Sequence, residues 1–195
     1  MCIRDSLYAL EMELASRFPT VPLTAILGDV RDGEKVEQVF LQQQPGVVFH
    51  AAAYKHVPLL ESQLREALHN NVLGTRNVAL AADRHGCSEF VLISTDKAVN
   101  PTNVMGATKR MAEIFCQNLD AHSDTRYITV RFGNVLGSAG SVVPLFRKQI
   151  REGGPVTVTH PDMVRYFMTI PEAAQLILQA AVLGKGGGNL RAGDG

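Results

Sequence analysis

A chain of 195 residues in which 19 lysines and arginines balance 19 aspartates and glutamates carries neither the basic surface of a nucleic-acid binder nor an acidic tail, so a small molecule is the default partner. At roughly 150 residues per domain the length fits one domain, and no apolar run approaches the roughly 20 residues of a bilayer span. Three cysteines, Cys2, Cys87 and Cys116, without a CxxC or Cys/His cluster, support neither a disulfide framework nor a zinc site, and they fit a reducing cytosol.

In chain order, "MCIRDS" lacks the amphipathic register of the "LYALEMELASRF" that follows. Residues 1–6 are therefore a candidate artefact of cloning or assembly, and there is no signal-peptide core. "LTAILGDV" predicts a strand, Arg31–Gln44 a helix, "GVVFHAAA" a strand, and the next segment a helix running to His85. "EFVLIST" predicts a strand, Asn103–Ala121 a helix and "RYITVRFGNV" a further strand. That βαβα rhythm is the signature of a parallel sheet. Val47–Phe49, Phe90–Ile93 and Ile128–Phe132 are largely apolar rather than alternating, as strands covered by helices on both faces are. Their C-terminal ends should face a ligand crevice.

Beyond Phe132 the pattern loosens into a Gly/Ser loop over Gly133–Ser141, a helix to Glu152, a short "VTVT" strand and a helix from Pro171 to Leu183, read as core rather than interface. This stretch reads as a partial lid or substrate region, and residues 187–195 as a flexible terminus. Residues 7–186 then form one unit: an α/β, Rossmann-like, doubly wound parallel sheet. No GxGxxG stands between a strand and a helix, and that fingerprint belongs to the first βα turn of a dinucleotide fold. The expectation is a chain that starts inside the second helix of such a fold, truncated at its GxGxxG end.

Six ordered segments carry the functional reading: "GDVRD", "VVFHAAAYKHVPLLE", "NNVLGTRNV", "STDKAVNPTNVMGATKR", "RFGNVLGSAGSVVPLF" and "VRYFMTIPEAAQLI". Together they closely resemble the extended short-chain dehydrogenase/reductase superfamily, and within it the CapD-type polysaccharide-biosynthesis proteins, the UDP-N-acetylglucosamine 4,6-dehydratases. The resemblance covers nearly all of residues 7–186. In that family a Thr-Asp-Lys triplet ends the fifth strand and a Tyr-x-x-x-Lys or Met-x-x-x-Lys pair follows on the next helix. The matching residues are Thr95, Asp96, Lys97, Met105 and Lys109, so the chain resembles the methionine branch, whose members carry N-terminal membrane helices. The implied cofactor is NAD and the implied substrate a UDP-sugar. The implied setting is a homo-oligomer with its catalytic domain in the cytoplasm, any membrane attachment coming through an N-terminal region outside this chain.

Met105 and Lys109, four residues apart, share one helix face, and the resemblance gives Lys109 the nicotinamide ribose hydroxyls. A thioether has no ionisable proton, so Met105 cannot take the sugar C4 hydroxyl proton. Asp96, directly or through Thr95 or a water, is the candidate for that task and for returning a proton to the departing C6 hydroxyl. Lys97 is the candidate to remove the C5 hydrogen. The plainer reading of "STDK" is a polar turn whose Thr or Asp caps the next helix.

Asp29 and Val30 resemble the adenine contact, although Asp29 reads equally as an N-cap. Ala51, Ala52 and Ala53 permit close approach of a ligand or tight strand-helix packing. Lys55 and His56 are available to phosphate or sugar; Asn71 and Asn134 match superfamily asparagines, which implies a structural or active-site bridging role for the first and a place facing the nucleotide-sugar for the second, and Arg165 resembles the arginine that grips the diphosphate, with a solvated surface arginine as the plainer reading. Scattered histidines give no metal ligand set. The expected activity is an NAD-dependent dehydratase, with a UDP-sugar 4-epimerase or a non-catalytic relative as alternatives; without the pyrophosphate loop the chain by itself should turn over little.

Overall fold

The computed structural model describes residues 3–138, 142–158, 160, 162, 164–184 and 189–191. Helix α1 spans Ile3–Arg17 and α2 Gly33–Gln43. Asp32 caps α2, its carboxylate accepting from Lys35 N at 3.0 Å, so the N-cap expected at Asp29 falls three residues later. Strand β1 is Val47–His50, and after it come α3 (Val57–Glu61), α4 (Leu64–Leu68), a π turn (His69–Gly74) and α5 (Thr75–Arg84). Strand β2 (Glu89–Thr95) passes through a 3-10 turn (Asp96–Ala98) to α6 (Val104–Asp120), and β3 is Arg126–Phe132. The remaining elements are β4 (Asn134–Val135), α7 (Val142–Arg151), β5 (Phe167–Met168), α8 (Ile170–Leu183) and β6 (Asn189–Arg191).

The main sheet has the order β1-β2-β3-β6, every pair parallel, and β4 and β5 form a small second parallel sheet. The two-residue period of the strands sorts the core. Phe90, Leu92 and Tyr127 turn to one face and pack with Val36, Phe40, Val78 and Ala82 of α2 and α5 and with Ala112 and Cys116 of α6. Val91, Ile128 and Val130 turn to the other, against Ala180 and Ala181 of α8. A fully buried Val, Leu, Ile or Phe among these contributes about 1.5–3 kcal/mol relative to exposure. Val47 and Phe49 of β1 fall on the α8 side beyond its reach, and both remain more than 40% exposed.

Five expectations need correction. "LTAILGDV" forms no strand, because no neighbouring strand lies beside it among the described residues to supply a ladder. The single helix expected up to His85 is broken into α3, α4, the π turn and α5. The "VTVT" strand is absent over 156–158 (residue 159 lies outside the described residues), and Phe167–Met168 take up pairing with β4 instead. Within the segment read as a flexible terminus, Asn189–Arg191 pair parallel with β3; residues 187, 188 and 192–195 lie outside the described residues, as do residues 1 and 2 and, in the Gly/Ser loop, 139–141. Ile3–Ser6 continue into α1. Helix α8 is also less of a core element than its pattern predicts: Ala173, Ala180 and Ala181 are buried, while Leu178, Val182 and Leu183 are exposed. Among the described residues no helix is long and apolar enough to cross a membrane.

Candidate active site

The C-terminal ends of β1, β2 and β3 open into one cavity of about 460 Å³. Its walls include Ala51, Ala53, Lys55 and His56 after β1, Ser94 and Thr95 at the end of β2 and Lys97 beyond it, Met105 and Lys109 from α6, and Phe132 at the end of β3 with Gly133 and Asn134 beyond it. This is the crevice that a parallel sheet offers a ligand.

Two close approaches bring these groups together. A Cβ on Gly106 would stand 2.4 Å from the Lys97 carbonyl oxygen, so glycine at this position lets α6 lie directly on the Asp96–Lys97 turn. A Cβ on Gly133 would meet the Tyr166 carbonyl at 2.9 Å and Asp96 Oδ2 at 3.5 Å, which brings the β4–β5 sheet up to the Asp96 carboxylate. The α6 N-terminus is fixed twice more, by Asn103 Oδ1 accepting from Gly106 N at 2.8 Å and by Glu61 Oε1 accepting from Val104 N at 2.8 Å.

Within the turn, Thr95 donates to Asp96 Oδ1 at 2.9 Å, and Lys97 Nζ reaches the same oxygen at 3.0 Å. Burial pushes the Asp96 carboxyl upward, but the Lys97 ammonium and the Thr95 hydroxyl outweigh it and leave the group below the ordinary carboxylate range. The Thr95 hydroxyl oxygen also accepts from Lys97 N at 3.4 Å, so the capping reading holds alongside the chemical one.

Lys109 is almost wholly buried and donates to the Ile93 carbonyl at 2.6 Å. Desolvation draws its pKa down to about 8, with Glu113 acting in the opposite sense. One of its three donors is spent on Ile93, and the others remain for a ligand in the cavity. Small residues at Ala51 and Ala53 and a cationic donor beside them suit the nicotinamide-ribose end of NAD. Met105 is 6% exposed and packs with Leu60 and Ala67; it forms an apolar wall of the cavity.

Asn71 is fully buried, and its amide is consumed: Oδ1 accepts from Tyr54 N at 2.8 Å while Nδ2 donates to Tyr54 O at 3.1 Å and Thr108 Oγ1 at 3.0 Å. It therefore bridges the β1 loop to α6, the first of the two roles expected of it. The π turn sets this register, as such turns often do at functional sites. Asp29 and Val30 lie outside the main cavity beside a smaller one of about 200 Å³. There Asp29 is engaged by Arg31, at 2.7 Å for the closest nitrogen, and Val30 lies against Gly74. Ala52 and Arg165 are exposed and line neither cavity. The Arg165 guanidinium turns back to the Val164 carbonyl at 3.4 Å.

The polysaccharide biosynthesis protein family matches residues 4–190. The chain belongs to that family. It is 56% identical over 183 residues to the probable polysaccharide biosynthesis protein EpsC of Bacillus subtilis, covering 93% of this chain and 31% of that protein. It is 54% identical over 185 residues to the capsular polysaccharide biosynthesis protein CapD of Staphylococcus aureus, covering 94% and 31%. The chain thus spans about a third of these relatives. A UDP-glucose 4-epimerase of Rickettsia canadensis is 38% identical, covering 94% of this chain and 54% of that protein. Among solved structures, Pen from Bacillus thuringiensis superposes with a TM-score of 0.86 at 36% identity, covering 94% of this chain and 56% of that one. WbmG from Bordetella bronchiseptica, in complex with NAD and UDP, does so at 0.71 and 25% identity, covering 88% and 59%. The fold is the Rossmann-like sheet that the sequence predicts.

Several residues of the site escape sequence reading. Gly106 and Gly133 act through space they leave empty, which no spacing rule reveals. Glu61 caps a helix 43 residues away. Tyr54 lines the cavity from within a motif whose other members drew the attention. Glu113 and Arg131 read as ordinary polar positions of a helix and a strand.

Proposed function

We propose that the chain carries the active-site part of an NAD-dependent nucleotide-sugar 4,6-dehydratase, with UDP-N-acetylglucosamine as substrate. The observation that carries this reading is the Thr95–Asp96–Lys97 turn held over the cavity that Met105 and Lys109 also line. Bound NAD supplies the acceptor that keeps a hydride between its removal from sugar C4 and its return to C6.

Lys109 holds the ribose hydroxyls through the donors that Ile93 leaves free. Asp96 is ionised at neutral pH and so able to accept the C4 hydroxyl proton, through Thr95 where the geometry requires it. Oxidation at C4 acidifies the C5 hydrogen, which the Lys97 amine takes as the proton on Asp96 leaves with the C6 hydroxyl as water; when the hydride returns to C6, Lys97 gives its proton back to C5. Met105 takes no part in proton transfer and shields the site from solvent. Lys55 and His56 at the rim and Asn134 are available to the sugar and its phosphates. Asp29 and Val30 serve the adenosine end, and Arg165 reaches the diphosphate only by leaving its contact with Val164.

A second reading, a UDP-sugar 4-epimerase, is favoured by the 38% identity to the Rickettsia enzyme. It returns the hydride to C4 and leaves Asp96 and Lys97 without a C5 and C6 task. Incubation of the intact protein with NAD and UDP-N-acetylglucosamine separates them by product mass. Loss of one water, abolished in Asp96→Asn and Lys97→Ala, is the expected outcome; an isomer of unchanged mass would favour the epimerase.

A further inference from the structure

Behind Lys109 lies an ion pair that the proposed chemistry does not use. Glu113, one helical turn further along α6 on the same face, is completely buried, and its carboxylate accepts from Arg131 Nε at 2.8 Å and from the other arm of the same guanidinium at 2.5 Å. Arg131 is 5% exposed and belongs to β3. Arg110 adds a third contact at 3.0 Å. A buried pair of this kind stabilises a fold weakly, since apolar residues of similar volume serve a core as well or better. Its place, between the helix that carries Lys109 and the strand beside Ile93, calls for another account.

We propose that Glu113, oriented by Arg131, is a positioning residue for Lys109: its buried carboxylate keeps the ammonium charged and directed at the cavity wall. This rests on the reading of Lys109 as the ribose-binding residue.

The surroundings leave Glu113 as the group able to do so. From β1, His50 faces Lys109 but is neutral, its pKa drawn down to about 3 by burial and then by the Lys109 charge. From β2 come the Ile93 carbonyl and the Ser94 hydroxyl. From α6, Cys116 stays a thiol, pushed up to about 12 by burial. Across the cavity Asp96 and Lys97 pair with each other. Glu113 is itself held below the ordinary carboxylate range: burial raises it, and hydrogen bonds from Arg131 and Arg110 more than offset this. Its negative charge is therefore present at every pH at which Lys109 titrates. Burial lowers Lys109 to about 8, and Glu113 opposes the fall.

The test uses the intact protein with ¹³Cε-labelled lysine, the Lys109 resonance being assigned by its loss in Lys109→Arg, and compares wild type with Glu113→Gln and with Glu113→Gln/Arg131→Gln, which leaves no unpaired buried charge. The Lys109 midpoint should drop by about one pH unit in both variants. NAD affinity, followed by calorimetry, should then fall about fivefold at pH 8 and hold at pH 6, where the ammonium is charged in all three proteins. A loss of equal size at both pH values, or an unchanged midpoint in the double variant, would overturn the proposal. Should wild type not bind NAD, the cofactor reading fails by itself, and the midpoint decides the role of Glu113.

Discussion

The two lysines of the site live under opposite conditions. Lys109 sits inside the packed layer between β2, β3 and α6, nearly sealed from water and tied to a backbone carbonyl. Lys97 stands on a three-residue turn at the cavity wall, its side chain 28% exposed and bound to a neighbour 44% exposed. Under the proposed function, the difference separates holding from reacting. A group that must stay in one place and one charge state is built into the core, whereas groups that must exchange protons with a substrate are kept at the edge, where solvent can reload them. What joins the two is steric: Gly106 on the Lys109 helix lets the Lys97 backbone rest on it.

The joint is the place to break the comparison. Gly106→Ala puts a methyl group 2.4 Å from the Lys97 carbonyl, and because the obstacle is backbone the turn must move. Turnover should fall by about a hundredfold, as small displacements of reacting groups do, while NAD affinity, which the proposal assigns to Lys109 one turn away, stays near wild type. Steady-state kinetics beside calorimetry read both. A matching loss of affinity would mean that the two lysines are not separable.

Asn71→Ala tests the bridge that holds the β1 loop to α6. It removes three hydrogen bonds from a fully buried side chain and leaves the Tyr54 N–H unpartnered, a loss of about 2–4 kcal/mol in unfolding free energy. Urea titration would measure it, and a loss below about 0.5 kcal/mol would contradict the bridging role.

His50 gives a pH signature of the sealed side. Its Nε2 contacts Thr75 Oγ1 at 2.9 Å, and its pKa falls from 6.5 to about 3 on burial. Below pH 6.5 the unfolded chain binds a proton that the folded one refuses, so this contribution to stability is complete above 6.5 and is lost as pH falls toward 3. The stability difference between pH 7 and pH 4 should therefore shrink in His50→Gln, as chemical denaturation at the two pH values would reveal. The smallest effect is expected at Met105. Met105→Leu keeps the apolar wall and should cost less than about 1.5 kcal/mol with an unchanged rate; a large rate loss would give the thioether a role beyond packing.

The sequence made one side of this comparison more legible than the other. The apolar strands at Val47–Phe49, Phe90–Ile93 and Ile128–Phe132 and the Asn103-capped helix appear where their patterns predict, because period and capping are local properties. The Thr95–Lys97 turn and the Met105–Lys109 spacing are local as well, and they meet at one cavity. "LTAILGDV" did not become a strand because a strand needs a neighbour, and the π turn at His69–Gly74 carries Asn71, whose partners lie 17 and 37 positions away. Glu113 and Arg131, 18 residues apart, are adjacent only once α6 is laid on β3. Groups defined by tertiary contact are the ones that sequence alone leaves unmarked.

The central claim is a hydride that leaves C4 and returns to C6 of the same sugar. UDP-N-acetylglucosamine labelled with deuterium at C4, turned over by the intact protein with NAD, tests it most directly by NMR and mass spectrometry of the product. The account predicts deuterium in a C6 methyl group beside a C4 ketone, with one water lost. Deuterium still on C4, in a product of unchanged mass, would contradict it.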